Sequence, residues 1–145
     1  MESLKLNSGL IRLEVERDGE KGEISFNPND VRFVESFYKA RQTFLEKEEI
    51  CKKDIAALEK NTETDAHGVP VNAGQQIAVI KEFAESINEI IDAVFGVGTS
   101  RTLFGESLVL DMYAQFFESI TPYIQGAREN KLAKYRSSES RNVMR

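Results

Sequence analysis

The N-terminal part of the chain alternates apolar and polar residues, which is the pattern of a strand buried on one face. Two apolar sets show this alternation: Ile11, Leu13 and Val15, then Ile24 and Phe26. Between them, the polar, glycine-containing segment 18–22 is typical of a turn. The pattern therefore predicts a β-hairpin over residues 10–26. Since a two-stranded hairpin is marginally stable alone, we expect it to pack on the rest of the domain.

Apolar residues at helical spacing then predict two long helices joined by a polar loop at residues 61–72. The first begins at a cap in the segment 27–30 and runs to about Asn61. Its apolar stripe consists of Phe37, Phe44, Cys51 and Leu58, widened by Tyr38, Leu45 and Ile55. The second runs from Ala73 to Phe95. Its stripe consists of Ile77, Ile80, Ala84, Ile87, Ile91 and Val94, widened by Phe83 and Ile90. This stripe is too short for a free coiled coil, so we expect an antiparallel helical hairpin.

The C-terminal third predicts two shorter helices. The segment 108–120 is apolar on most sides, which indicates a buried helix. Thr121 followed by Pro122 is typical of a helix start and predicts a last helix to about Tyr135. Residues 137–145 have no periodicity and are expected to form a disordered basic tail. The predicted fold is mainly α, with an N-terminal β-hairpin packed on an antiparallel helical hairpin plus two shorter C-terminal helices, in one domain over residues 1–136.

Three glycines mark the connector after the second long helix: Gly96, Gly98 and Gly105. A phosphate-binding loop requires Gly-Lys-Ser/Thr, which the chain lacks, and Arg101 stands where a dinucleotide-binding loop has its third glycine. Glycine ends helices because it adopts left-handed conformations without steric strain. We therefore interpret the segment as a structural connector that returns Phe95 and Phe104 to the core, with no cofactor bound.

Composition and charge limit the function classes further. A chain of 145 residues with 41% hydrophobic residues suits one soluble domain. No apolar run is long enough to span a membrane, and the N-terminus lacks a signal-peptide core, so we expect a cytoplasmic protein. The net charge of −5 argues against a general nucleic-acid binder. Residues 126–145 carry six basic and two acidic side chains, a net +4, which leaves −9 on the rest.

Few residues offer catalytic or metal-binding chemistry. His67 is the one histidine and lies in the polar loop, so it is expected to be solvated and not a metal ligand. Cys51 is the one cysteine and falls on an apolar helix stripe, which predicts a buried, inert thiol. The sequence therefore predicts neither an enzyme nor a metal site. The basic C-terminal segment fits either a solvated helix end or a segment that docks on a partner.

One series of motifs resembles a known family. The segment Asp92-Ala93-Val94-Phe95-Gly96-Val97-Gly98-Thr99 is followed by Leu103-Phe104-Gly105-Glu106, Phe116-Phe117-Glu118 and Pro122-Tyr123-Ile124. An apolar helix ending in Phe-Gly-x-Gly-Thr, a second Phe-Gly, and an aromatic helix leading to a charged arm resemble small prophage proteins of Gram-positive bacteria. These are the tail assembly chaperones of long-tailed phages. The resemblance covers residues 90–136, about a third of the chain.

The resemblance implies a non-catalytic protein in the cytoplasm of the bacterial host. It would bind the helical tape measure protein and keep it soluble while tail tube subunits polymerise around it. The tail tube protein is a second candidate partner, neither nucleic acid nor membrane is expected, and homo-oligomerisation is left open. The candidate partner-binding residues are Phe117, Tyr123, Arg128, Lys131, Lys134 and Arg136. The alternatives are a structural virion or tail adaptor subunit that stays in the particle and, third, a small enzyme or regulatory domain.

Overall fold

The computed structural model describes the chain from Met1 to Val143, without the side chains of Lys131 and residues 133–143. It contains a two-stranded antiparallel sheet followed by four helices, which confirms the predicted mainly α fold with an N-terminal hairpin. The elements are β1 (Ile11–Arg17), β2 (Glu20–Phe26), α1 (Val31–Glu59), α2 (Ala73–Phe95), α3 (Thr99–Phe104) and α4 (Leu110–Val143).

The hairpin turn is shorter than the sequence pattern predicts. Asp18 and Gly19 alone form it, with φ angles of 52° and 86°, and β2 already begins at Glu20. Positive φ at both residues is the combination that matches the right-handed twist of the paired strands, and Asp-Gly favours it. Gly22 therefore lies within β2 and not in the turn. A Cβ atom there would lie 2.7 Å from Cγ2 of Thr102, so its absence lets α3 approach the sheet closely.

Helices α1 and α2 form the predicted helical hairpin. Asp30 caps α1 by accepting a hydrogen bond from the backbone N–H of Arg32 at 3.0 Å. The buried residues of the two helices are Phe37, Ala40, Phe44 and Cys51 on α1 and Phe83, Ala84, Ile87 and Ile91 on α2. Ile77, predicted in the α2 stripe, is instead 64% exposed. It lies in the second turn of α2, before Phe83, the first buried residue of that helix.

Helix α4 covers the core as one continuous element, so the prediction of two separate C-terminal helices is corrected. The helix passes through Pro122, which has no N–H to donate to the carbonyl of Glu118. Both residues are exposed, so water can satisfy that carbonyl. One residue earlier, the hydroxyl of Thr121 donates a hydrogen bond to the carbonyl of Phe117 at 2.6 Å. The Thr-Pro pair thus lies inside a helix and does not start one.

The predicted tail also differs in its described part. Helix α4 continues to Val143, so residues 137–143 are helical where disorder was expected. This segment contains no proline or glycine, the two residues that most strongly oppose helix continuation. The last two residues of the predicted tail lie outside the described residues. The domain boundary at residue 136 stays a prediction, because α4 crosses it without a break.

Two isoleucines of α2 provide a test of the core. Ile87 is fully buried, whereas Ile77 on the same helix is largely exposed. We expect Ile87→Ala to lower the free energy of unfolding by about 2–5 kcal/mol because it leaves a cavity. Ile77→Ala should change it by less than about 0.5 kcal/mol, as surface substitutions usually do. Urea denaturation of both variants measures this. Equal effects would contradict the described packing of α2.

Tyr113 provides a pH-dependent test. Its side chain is fully buried, and its hydroxyl donates a hydrogen bond to Oδ1 of Asn88 at 2.9 Å. Burial raises the pKa of Tyr113 and nearby Glu85 adds to this, while the bond to Asn88 opposes it. A raised pKa in the folded state means stabilisation that is complete below the unfolded pKa of about 10 and is lost as pH rises. We expect the alkaline loss of stability above about pH 10 to be smaller in Tyr113→Phe. Tyr123→Phe, at an exposed ring, should retain the full loss.

Candidate functional site

The glycine-rich connector is built as a tight link between α2 and α3. Gly96 ends α2 with φ 114° and ψ 148°, and Gly98 precedes α3 in the left-handed conformation. Asp92 of α2 accepts hydrogen bonds from the backbone N–H of Ser100 at 2.7 Å and from its hydroxyl at 3.0 Å. A carboxylate of the protein itself therefore bonds to the amide at the start of α3. The arrangement supports the interpretation of this segment as a structural connector.

Substitution of the connector glycine tests this interpretation. The backbone of Gly96 lies close to a region that only glycine adopts without strain, so Gly96→Ala should destabilise the fold by about 1–3 kcal/mol. Gly74→Ala is the matched control, because Gly74 lies in α2 with open space around it and ordinary helical φ. That control should be neutral or stabilising by up to about 1 kcal/mol. Thermal or urea unfolding distinguishes the two. A shared sign would show that backbone strain at Gly96 does not matter.

His67 and Cys51, the two residues singled out for potential catalytic chemistry, lie in different surroundings. His67 is exposed in the loop between α1 and α2, and its backbone N–H donates to Oδ1 of Asp65 at 2.8 Å. Cys51 is buried, and burial followed by the charges of Asp54 and Glu48 raises the pKa of its thiol. A raised pKa disfavours the nucleophilic thiolate. Within the described residues, no three His, Cys, Asp or Glu side chains gather as a metal site would require.

The structure describes the side chains of three of the six predicted partner-binding residues. Phe117 is only 4% exposed and stacks on Phe44 with ring centroids 4.7 Å apart, so little of its ring is open to a partner, and its role in partner binding stays a prediction. The sequence could not orient it, because the helix is apolar on most sides. Tyr123 is 44% exposed, with one edge of its ring against Phe26. Arg128 is exposed and places its guanidinium 5.9 Å from the ring centroid of Tyr38.

The remaining three candidates are Lys131, Lys134 and Arg136, whose side chains lie outside the described set. Their backbone belongs to the final part of α4, which we call the C-terminal arm (residues 128–143). Ile124 is the last α4 residue that is buried among those described, and the described side chains of the arm are exposed. At 1.5 Å per residue, the arm is about 24 Å long.

A groove that the sequence did not reveal lies between α1 and α4, near the point where the arm begins. This α1–α4 groove has a volume of about 420 Å³ and extends along α4 to Gln125. Its apolar lining includes Phe44, Leu45, Phe117 and Pro122, and its charged lining includes Arg41, Glu48 and Glu118. Phe117 can thus touch a ligand only from within this groove. Leu45, predicted in the α1 stripe, is 40% exposed here.

Comparison with known proteins places the chain in a family. Residues 20–145 match a family of unknown function, DUF6673, and the chain belongs to it. No curated protein and no solved structure matches the chain. Among the described residues, none of the helices combines the length and the apolar character that crossing a membrane requires.

Proposed function

We propose that this protein is a non-catalytic tail assembly chaperone that binds a phage tape measure protein in the cytoplasm of the bacterial host. The observation that carries the proposal is the C-terminal arm. It extends α4 beyond Ile124, the last of the described residues that is buried, and begins next to the α1–α4 groove. The motifs of residues 92–124, which resemble such chaperones, lie directly before it. The arm and the groove together form the proposed tape measure surface.

The shape of this surface suits a helical partner. A groove between two helices with an apolar floor accepts the apolar face of a third helix, as in other helix-in-groove complexes. The floor here consists of aromatic rings that the core already fixes, Phe44 and Phe117. Their fixed positions reduce the ordering that binding would require. A tape measure protein, being long and helical, would present such faces repeatedly.

The charge distribution suits a reversible grip. The segment 126–145 carries +4 against −9 on the rest of the chain, so an acidic partner segment would be attracted to one end of the molecule. Exposed charges act mainly on the rate of encounter and are screened by salt. The apolar contact in the groove is small, which favours release when tail tube subunits replace the chaperone. Neither feature requires catalysis.

A structural virion or tail adaptor subunit is the second candidate. It would use the same helical surface but stay in the assembled particle. The two functions therefore differ in where the protein is found after assembly. Mass spectrometry of purified particles separates them, since a chaperone should be absent and an adaptor should be present at a fixed ratio to the other tail proteins.

Truncation tests the role of the arm. A chain ending at Gly126 keeps every described buried residue, so it should fold with a nearly unchanged melting temperature. We expect it to lose most binding to the tape measure protein in co-purification, and binding by the full chain to weaken at high salt. Equal recovery by the truncated and full chains would place the binding surface elsewhere and contradict the role of the arm.

A matched pair of variants tests whether binding depends on where the positive charges lie or only on the net charge of the protein. Replacing Lys131, Lys134 and Arg136 by glutamine removes three positive charges from the arm. Replacing Lys47, Lys53 and Lys60 by glutamine removes the same number from α1 and its C-cap, and none of these three lines the α1–α4 groove. If the arm steers the partner, only the first variant should bind markedly more slowly at low salt. Equal slowing by both would indicate a general effect of net charge.

A further inference from the structure

The N-terminal arm, which we define as residues 1–7, is apolar in part and contacts little of its own chain. Leu4 and Leu6 are 85% and 87% exposed. The arm is nonetheless anchored at its base, where Asn27 Nδ2 donates to the hydroxyl of Ser8 at 2.8 Å. Asn29 Nδ2 donates to the carbonyl of Gly9 at 3.4 Å. The chain thus holds the start of β1 in place while it exposes two leucines beyond it.

The arm has the pattern of a half-buried strand. Leu4 and Leu6 would point to one face of an extended chain, and Ser3, Lys5 and Asn7 to the other. A strand with this pattern needs both a neighbour for its backbone and an apolar surface for its leucines. The residues that the structure describes provide neither, since all seven residues of the arm are exposed.

Strand β1 offers a free edge of the required kind. Within the described part of the chain the sheet has two strands, and β1 pairs with β2 from Arg17↔Glu20 to Ile11↔Phe26. In an antiparallel pair closed by a two-residue turn, the two residues next to the turn bond to each other through their backbone groups, and pairs with and without such bonds then alternate along the strands. The strand residues of the pairs without these bonds point their N–H and C=O groups away from the partner strand. In β1 these are Arg12, Glu14 and Glu16. Free strand edges of this type accept an added strand.

A groove runs beside this edge, between β1 and the first half of α4, and its lining combines apolar side chains with polar and charged residues, Glu14 and Glu16 among them. This β1–α4 groove has a volume of about 660 Å³. Its apolar lining consists of Leu13, Val15, Ile24, Val109, Met112 and Ile120, with Leu103, Phe104 and Phe116 beneath. Val109 is 46% exposed at its rim. A strand added to β1 would direct one of its faces into this groove.

The charges of the outer face complement the arm. Glu14 lies directly opposite Glu23 in the register, and like charges in that position repel. Lys21 Nζ of β2 lies 3.6 Å from Oε1 of Glu14 and reduces this repulsion from the β2 side. On a strand added to the other side of β1, Lys5 would share the outer face with Glu14 and Glu16. The same placement directs Leu4 and Leu6 inward.

We propose that the N-terminal arm of one copy adds as a third strand to the β1 edge of a second copy. Leu4 and Leu6 then occupy the β1–α4 groove, and Lys5 lies beside Glu14 and Glu16. The groove and the arm belong to the same chain, so every copy carries both halves of the contact. The inference does not depend on tape measure binding, because it uses neither the α1–α4 groove nor the C-terminal arm.

The mass of the protein in solution tests the proposal. We expect the full chain to associate in a concentration-dependent way in sedimentation velocity between micromolar and millimolar protein. Leu4→Glu with Leu6→Glu on the arm, or Val109→Glu at the groove rim, should raise the dissociation constant at least tenfold. Val31→Glu is the matched control, since Val31 is 68% exposed but lies outside both surfaces. It should associate like the original protein.

Charge reversal separately tests the proposed placement of Lys5 beside Glu14 and Glu16. Lys5→Glu should weaken association, and adding Glu16→Lys in the same chain should restore it, because both signs are then exchanged. A wild-type chain that stays monomeric at millimolar concentration would overturn the proposal, and so would association that the arm and groove variants leave unchanged. The latter outcome would assign the contact to another surface. Circular dichroism of each variant confirms that its fold is intact.

Discussion

A connected cluster of aromatic rings holds the elements of this small domain together. Phe26 from β2 contacts Phe33 of α1 and Phe95 of α2, and Phe95 contacts Phe116 of α4. Phe104 brings α3 into the same cluster through Phe116. Ring centroids in the cluster lie between 4.5 and 6.3 Å apart. Such pairs add about 0.5–1.5 kcal/mol each beyond the area they bury, and they link β2 with all four helices. Strand β1 has no aromatic residue and is held by its pairing with β2.

The size of these rings also explains the surface of the molecule. Helix α4 rests on the cluster through Tyr113, Phe116 and Phe117, which are buried under its first two turns. A helix held off its neighbours by large side chains leaves gaps along both of its sides, unless other bulky residues fill them. The two gaps here are the α1–α4 groove and the β1–α4 groove. The same packing that stabilises the core therefore creates the two apolar surfaces on which the proposals rest.

The sequence predicted the parts of the fold that local chemistry determines. The bounds of α2 follow from apolar spacing, and a cap for α1 was expected within residues 27–30, where the structure assigns it to Asp30. The path of α4 was not predictable in this way, because Thr121-Pro122 has the local signature of a helix start whether or not a helix precedes it. The burial of Phe117 was not predictable for a related reason. On a helix that is apolar on most sides, only the neighbouring elements decide which side faces the core.

The sequence showed one part of each candidate surface but not the groove that completes it. The basic charge of the C-terminal arm was apparent, but the groove at its base depends on how α1 and α4 pack across more than 60 residues of chain. Leu4 and Leu6 belong to no element predicted from the sequence. Their meaning depends on the free edge of β1, which only the sheet order reveals. The groove at the base of the C-terminal arm and the free edge of β1 therefore depend on long-range packing, which the local sequence pattern does not show.

The two grooves use different residues of the same helix. Met112, Phe116 and Ile120 line the β1–α4 groove, whereas Phe117, Thr121 and Gln125 line the α1–α4 groove. Association between copies would therefore leave the proposed tape measure surface open. Linked copies binding a long helical partner at several points would gain avidity from effective concentration without any new contact. A weak grip at each copy would then suffice to keep a long partner soluble, and each grip could still be released separately.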